Sequence, residues 1–169
     1  MAFLKGVDIV VKEILLLGNQ QLYETSTVLE KSQMDFIKQT VENLHDTLMD
    51  YRQRYKAGRA IAAPQIGVAV RLIYMNINEA HVFINPTLSF PDDGLMDVLD
   101  DCMSFPGLYV NLKRHKRCII KYRNMDWEEK EMALEGDLAE LIQHEYDHLD
   151  GILATMRAID NKAFVMNKM

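Results

Sequence analysis

His144-Glu145-Tyr146-Asp147-His148 carries the most visible chemistry in this chain. Residues four apart lie on one face of a helix, so the two imidazoles can hold one metal ion together. Glu145 projects about 100° away around the same helix, close enough to serve as a base on water activated by that metal. Two imidazoles and a carboxylate in this order point to metal-assisted hydrolysis. The pattern fixes only three positions, and a charged helix with two surface histidines would carry the same letters. The flanks favour the metal. Leu138, Leu141, Ile142 and Leu149 recur at helical spacing, so the imidazoles belong to an amphipathic helix. Gly136-Asp137 marks its start and Gly151 its stop.

The elements around this helix follow from periodicity and turn chemistry. Lys12 to Leu17 is a short apolar run that reads as a strand. Ser32-Gln33-Met34-Asp35 resembles a capping box. After it, Ile37, Val41, Leu44, Leu48, Tyr51 and Tyr55 predict a long amphipathic helix over residues 33 to 56, stopped by Gly58. Val68 to Ile77 and His81 to Ile84 read as a hairpin turning at Asn78-Glu79-Ala80 and ended by Asn85-Pro86. Leu88 to Asp101 reads as an acidic loop. Arg117 to Tyr122 and Lys130 to Leu134 form a second strand pair. The expected class is α+β: antiparallel β-sheets packed around the central metal-binding helix, plus one long N-terminal amphipathic helix.

The 169 residues are read as a single domain, 1–169, large enough for a sizeable core. A net charge of −6 counts against a general nucleic-acid binder, and the basic run Lys113 to Arg117 is read as a solvated loop and strand edge. The two cysteines, Cys102 and Cys118, could form one disulfide, but nothing else suggests an oxidising compartment. The apolar stretch within Met1 to Gly18 is broken by Lys5, Asp8, Lys12 and Glu13, and no run reaches membrane-spanning length. A cytoplasmic location without a membrane partner is the default.

Two further segments accompany the helix motif: Gly58-Arg59-Ala60-Ile61-Ala62-Ala63-Pro64-Gln65 and Asp100-Asp101-Cys102-Met103-Ser104. The order, spacing and chemistry of all three resemble the peptide deformylase family, which is similar in having Gly-x-Gly-Leu-Ala-Ala-Pro-Gln, then Glu-Gly-Cys-Leu-Ser, then Gln-His-Glu-x-Asp-His. The resemblance runs from the region of residue 13 to Leu153. It implies removal of the formyl group from the N-terminal methionine of newly made peptides, releasing formate. It implies Cys102 as a thiolate ligand beside His144 and His148, with Glu145 as the base. Gln65 and the backbone of Met103 become donors to the developing oxyanion. Gly58, Ala60, Asp100, Asp101 and Glu140 become residues of the substrate cleft, and Arg114 a residue that supports the ligands through Asp100. Fe²⁺ is the implied native metal, with Zn²⁺, Ni²⁺ or Co²⁺ able to replace it. The implied partners are an N-formylated peptide and, transiently, the ribosome, for a monomer or dimer.

The chain departs from that pattern at several places. Ala60 stands for the second glycine, Asp101 for the glycine before the cysteine, and Ile61 and Met103 for leucines. Asp137 and Glu140 stand where the family borders the pocket for the methionine side chain with apolar residues or, at the position of Glu140, often arginine. With Asp100 and Asp101 they could put four carboxylates around the site, receptive to polar or cationic groups. Two competing readings follow: a deformylase-like metal-dependent amidase with altered specificity, and a non-catalytic deformylase-like peptide-binding protein. Cys118, in an apolar strand, is read as a buried free thiol.

Overall fold

In the computed structural model, residues 9–167 are described. The first eight residues of the apolar stretch Met1 to Gly18 and the last two of the tail lie outside them. The two long elements are helices α1, Met34–Tyr55, and α2, Asp137–Leu149. The strands are β1 Ala60–Ala62, β2 Leu72–Asn76, β3 Ala80–Ser89, β4 Leu95–Asp100, β5 Leu108–His115, β6 Arg117–Arg123, β7 Glu129–Glu135 and β8 Phe164–Met166. They form a five-stranded sheet in the order β1-β2-β3-β6-β7 and a three-stranded sheet in the order β4-β5-β8. Every pairing is antiparallel. The expected α+β arrangement is what forms.

The five-stranded sheet lies between the helices, and strand periodicity sorts its side chains. Ile61, Leu72, Tyr74 and Ile84 pack with Ile37, Val41, Leu44 and Leu48 of α1. Ala60, Ala62, Ile73, Met75 and Phe83 face the other way, against Ala139, Leu141, Ile142 and Leu149 of α2. Both faces are buried, so the central strands read as apolar runs without alternation. Helix α2 also packs on β5 of the smaller sheet, whose core holds Cys102, Val110 and Leu112. The helix that carries His144, Glu145 and His148 therefore sits between the sheets.

Four expectations need correction. Lys12–Leu17 is not a strand: Leu15 N–H donates to Gln65 O and Leu17 N–H to Ser104 O, so the segment spans two loops. Asn85-Pro86 does not end β3, which runs on to Ser89. A register shift between Ile84 and Thr87 admits the proline, and Asn85, at φ 48°, exchanges hydrogen bonds with the Leu29 backbone through its side chain. The acidic loop at Leu88 to Asp101 contains strand β4, hidden because its exposed positions include Leu95 and Leu99. Before α1, Gln33 Oε1 accepts from Glu30 N–H at 2.8 Å, so the capping box lies two residues ahead of the expected one, and α1 stops at left-handed Lys56, short of Gly58. The tail left unassigned holds a short 3-10 turn, Ala154–Arg157, and β8. Among the described residues no helix is long and apolar enough to cross a membrane.

Candidate active site

The glycine at 136, with φ 60°, starts α2 so that His144, Glu145 and His148 fall on its buried side. The turn after β4 brings Cys102 to them. One donor atom each from Cys102, His144 and His148 lies within 4.8 Å of the others, and Cys102 Sγ is 3.4 Å from His148 Nε2. His144 Nδ1 sits 2.8 Å from Asp100 Oδ1, which fixes the ring and leaves its other nitrogen to the side of the Cys102 thiol. Burial pushes His144 down, but Asp100 and Cys102 outweigh it and hold the imidazole well above its usual range. Burial and the neighbouring His144 push His148 well below that range, toward the neutral form that binds metals. One thiol and two imidazoles converging this closely suit a divalent transition ion with an open position.

Glu145 is buried beside these three groups, and its Oε2 has no hydrogen-bond partner. Burial, with further push from Asp100 and Glu140, raises its carboxyl to about 7, the range of a proton carrier near neutral pH. Gln65, 1% exposed, comes from the 3-10 turn after β1. Its Oε1 accepts from Ala62 N–H at 2.9 Å, which turns the amide nitrogen toward the site. Nε2 then lies 3.5 Å from Cys102 Sγ and 3.3 Å from Ser104 Oγ. Met103 follows the cysteine, with its side chain in the α1 core. A cleft of about 310 Å³ opens over these groups, walled by Gly58, Arg59, Ala60, Gln65, Asp100 to Met103, Glu140, His144 and Glu145. Gly58, at φ 106°, has Leu48 Cδ1 only 3.2 Å from where a Cβ would stand, so the tight approach of β1 to α1 requires glycine. Asp101, in the place of a glycine, is not among the residues with positive φ, so its turn carries no such strain.

The four acids do not act together. Asp100 is consumed by His144 and by Arg114, 3% exposed, which donates to it at 2.7 and 3.1 Å. Burial alone would raise Asp100, but His144 and Arg114 prevail and lower it. Arg114 thus departs from its basic run, whose Lys113 and Arg117 remain exposed. Asp137 and Glu140 both meet Arg59. Arg59, Ser104, Asp147 and Arg157 were not singled out by the sequence analysis. Their signal was available only in part, since Asp147 lies within the helix motif while Arg59 and Arg157 read as surface charge. Both cysteines are free and buried, and burial raises Cys118 to about 11.

An α+β scaffold that buries a thiol, two imidazoles and a carboxyl group under one cleft has the make-up of a metal-dependent hydrolase. The polypeptide deformylase family model matches residues 11–164, and the chain belongs to that family. Peptide deformylase 1 of Prochlorococcus marinus (strain MIT 9313) is 35% identical over 166 residues, covering 91% of this chain and 84% of that protein. The crystal structure of peptide deformylase from Thermotoga maritima superposes with a TM-score of 0.81 at 32% identity, over 89% of this chain and 99% of that one. A Synechococcus elongatus peptide deformylase crystallised in complex with actinonin gives a TM-score of 0.81 at 25% identity, over 94% and 89%.

Proposed function

We propose that this protein removes the formyl group from the N-terminal formyl-methionine of newly made peptides, releasing formate. One observation carries the reading: the Gln65 amide nitrogen faces Cys102 Sγ at 3.5 Å while Glu145 stands buried beside His144. Cys102, His144 and His148 would hold the metal, Fe²⁺ by expectation, since a thiolate and two imidazoles also accept Zn²⁺, Ni²⁺ or Co²⁺. When bound, such an ion supplies a Lewis acid that brings loss of a proton from water toward neutral pH. Glu145 takes that proton on its unpartnered oxygen. The water oxygen bonds to the formyl carbon, whose own oxygen gains negative charge. Gln65 Nε2 and the Met103 N–H stabilise that charge. Glu145 then returns the proton to the amide nitrogen as the carbon–nitrogen bond breaks, giving formate and a free amine. Arg114 and Asp100 hold His144 in place, and Gly58 and Ala60 line the channel.

A peptide-binding protein without turnover would need neither Glu145 nor Gln65, and both are turned to the site. A substrate made on ribosomes fits a cytoplasmic enzyme with access to nascent chains. Formate release from formyl-Met-Ala-Ser, assayed on protein stripped by a chelator and reloaded anaerobically with Fe²⁺ or with Ni²⁺, tests the reading. Activity that disappears on stripping and returns on loading is expected. No formate with either metal would overturn it.

A further inference from the structure

The cleft wall beyond the metal ligands is charged, and Arg59 organises it. Its guanidinium, on the step into β1, pairs with Asp137 and lies 3.6 Å from a Glu140 oxygen. The short bond goes to Asp137, whose side chain is 76% exposed, so Glu140 is left with the longer contact. Glu140 lies one helical turn before His144, so its carboxylate projects over the face that carries the ligands. That side chain is 14% exposed and opens to the cleft. Burial and the neighbouring Asp100 disfavour its ionised form, so a cation brought beside it would be well received.

The cleft extends from there toward β4. Arg59, Asp101 and Glu140 line both the metal-side cavity and an adjoining one of about 480 Å³, which Met96, Val98, Leu99 and Asp137 also line. Four carboxylates line this second cavity, Asp97, Asp101, Asp137 and Glu140; Arg59 pairs with Asp137 and Glu140 and Lys113 with Asp97 at 2.7 Å, so Asp101 has no basic partner among these contacts. Lys56, the other cation of the metal-side cavity, donates to Gln53 O at 3.0 Å. Met96 and Val98 offer a half-buried apolar track alongside the acids. A long aliphatic stem ending in a cation matches that combination.

We propose that Glu140, with Asp101, recognises the ammonium or guanidinium of a cationic side chain on the residue bearing the formyl group, so that formyl-lysine and formyl-arginine peptides are substrates beside formyl-methionine ones. The proposal rests on the deformylase reading. Arg59 is the internal cation that holds this wall when a neutral side chain is bound.

Values of kcat/KM for formyl-Lys-Ala-Ser and formyl-Met-Ala-Ser, from formate release by iron-loaded protein, test it. The wild-type values are expected to lie within about a hundredfold of each other, and the ratio of lysine to methionine to fall about tenfold or more in E140Q, the worth of a hydrogen bond to a charged group. Dissociation constants of the products Lys-Ala-Ser and Met-Ala-Ser, by calorimetry on wild type, are expected to show the same tolerance. They decide the matter should E140Q fail to fold. A wild-type preference for methionine above a hundredfold, or a smaller change of ratio in E140Q, overturns the proposal. Absence of formate from both peptides would instead overturn the deformylase reading.

Discussion

Asp100 Oδ1 lies 2.8 Å from His144 Nδ1, while Oδ2 of the same carboxylate accepts from Arg114 at 2.7 and 3.1 Å. Arg114 reaches on to Asp147 at 2.9 Å, and Arg157 closes the chain on Asp147 with two bonds of 2.6 Å. A side chain at the surface is thereby tied to the His144 imidazole through β4, β5 and α2. Partners of this kind set the orientation and basicity of the ligand.

Replacement of Asp100 by asparagine keeps the shape but removes the charge facing His144. Metal affinity, measured by competition with a chromophoric chelator, should fall about tenfold to a hundredfold. Arg157→Met, three links further out, should weaken binding less. Unchanged affinity in Asp100→Asn would show that His144 is positioned by packing alone.

Arg114→Met leaves Asp100 with no arginine in a buried place. Denaturant unfolding should show a loss of about 3 kcal/mol, the low end for breaking a buried pair, because Arg157 still serves Asp147. The sign with pH follows from the lowered Asp100. A carboxyl depressed in the fold stabilises it above its unfolded value and loses that contribution as pH falls through the folded one. The gap between wild type and variant should therefore shrink on acidification below the ordinary 3.8. A gap constant with pH would contradict the pairing.

Gln65→Glu keeps an oxygen for Ala62 N–H but loses the amide donor. A fall in kcat of about 10² to 10³ with little change in KM is expected, as for removal of one oxyanion donor. An effect confined to KM would move Gln65 from the chemistry to substrate binding.

Alkylation should separate the two cysteines. With Cys118 raised to about 11, only about 0.1% is thiolate at pH 8, and it should stay unlabelled by iodoacetamide until the protein unfolds or the pH approaches that value. Cys102 should react when the protein is stripped of metal and be protected when it is loaded. Equal labelling with and without metal would remove Cys102 from the ligand set.

The helix motif was legible because its chemistry sits within five consecutive residues and its apolar flanks mark the buried face. Cys102 and Gln65 were legible through short motifs, although their meeting across 3.5 Å is a property of the fold. Strand β4 was not, since Asp97 and Asp100 broke its pattern and Leu95 and Leu99 face outward. Arg59 was missed for a related reason. Its neutralising contact with Asp137, 78 positions along the chain, has no local signature. The four acids therefore read as one patch, when one serves His144 and two share Arg59.

The central claim is that Glu145 moves the proton while Cys102, His144 and His148 hold the metal. It is tested most directly by Glu145→Ala, with metal content and formate release from formyl-Met-Ala-Ser measured on the same sample. The account predicts one bound ion per chain in both proteins, with formate released by wild type and at least about a hundredfold less by the variant. A variant that keeps its metal and still releases formate at the wild-type rate would contradict it.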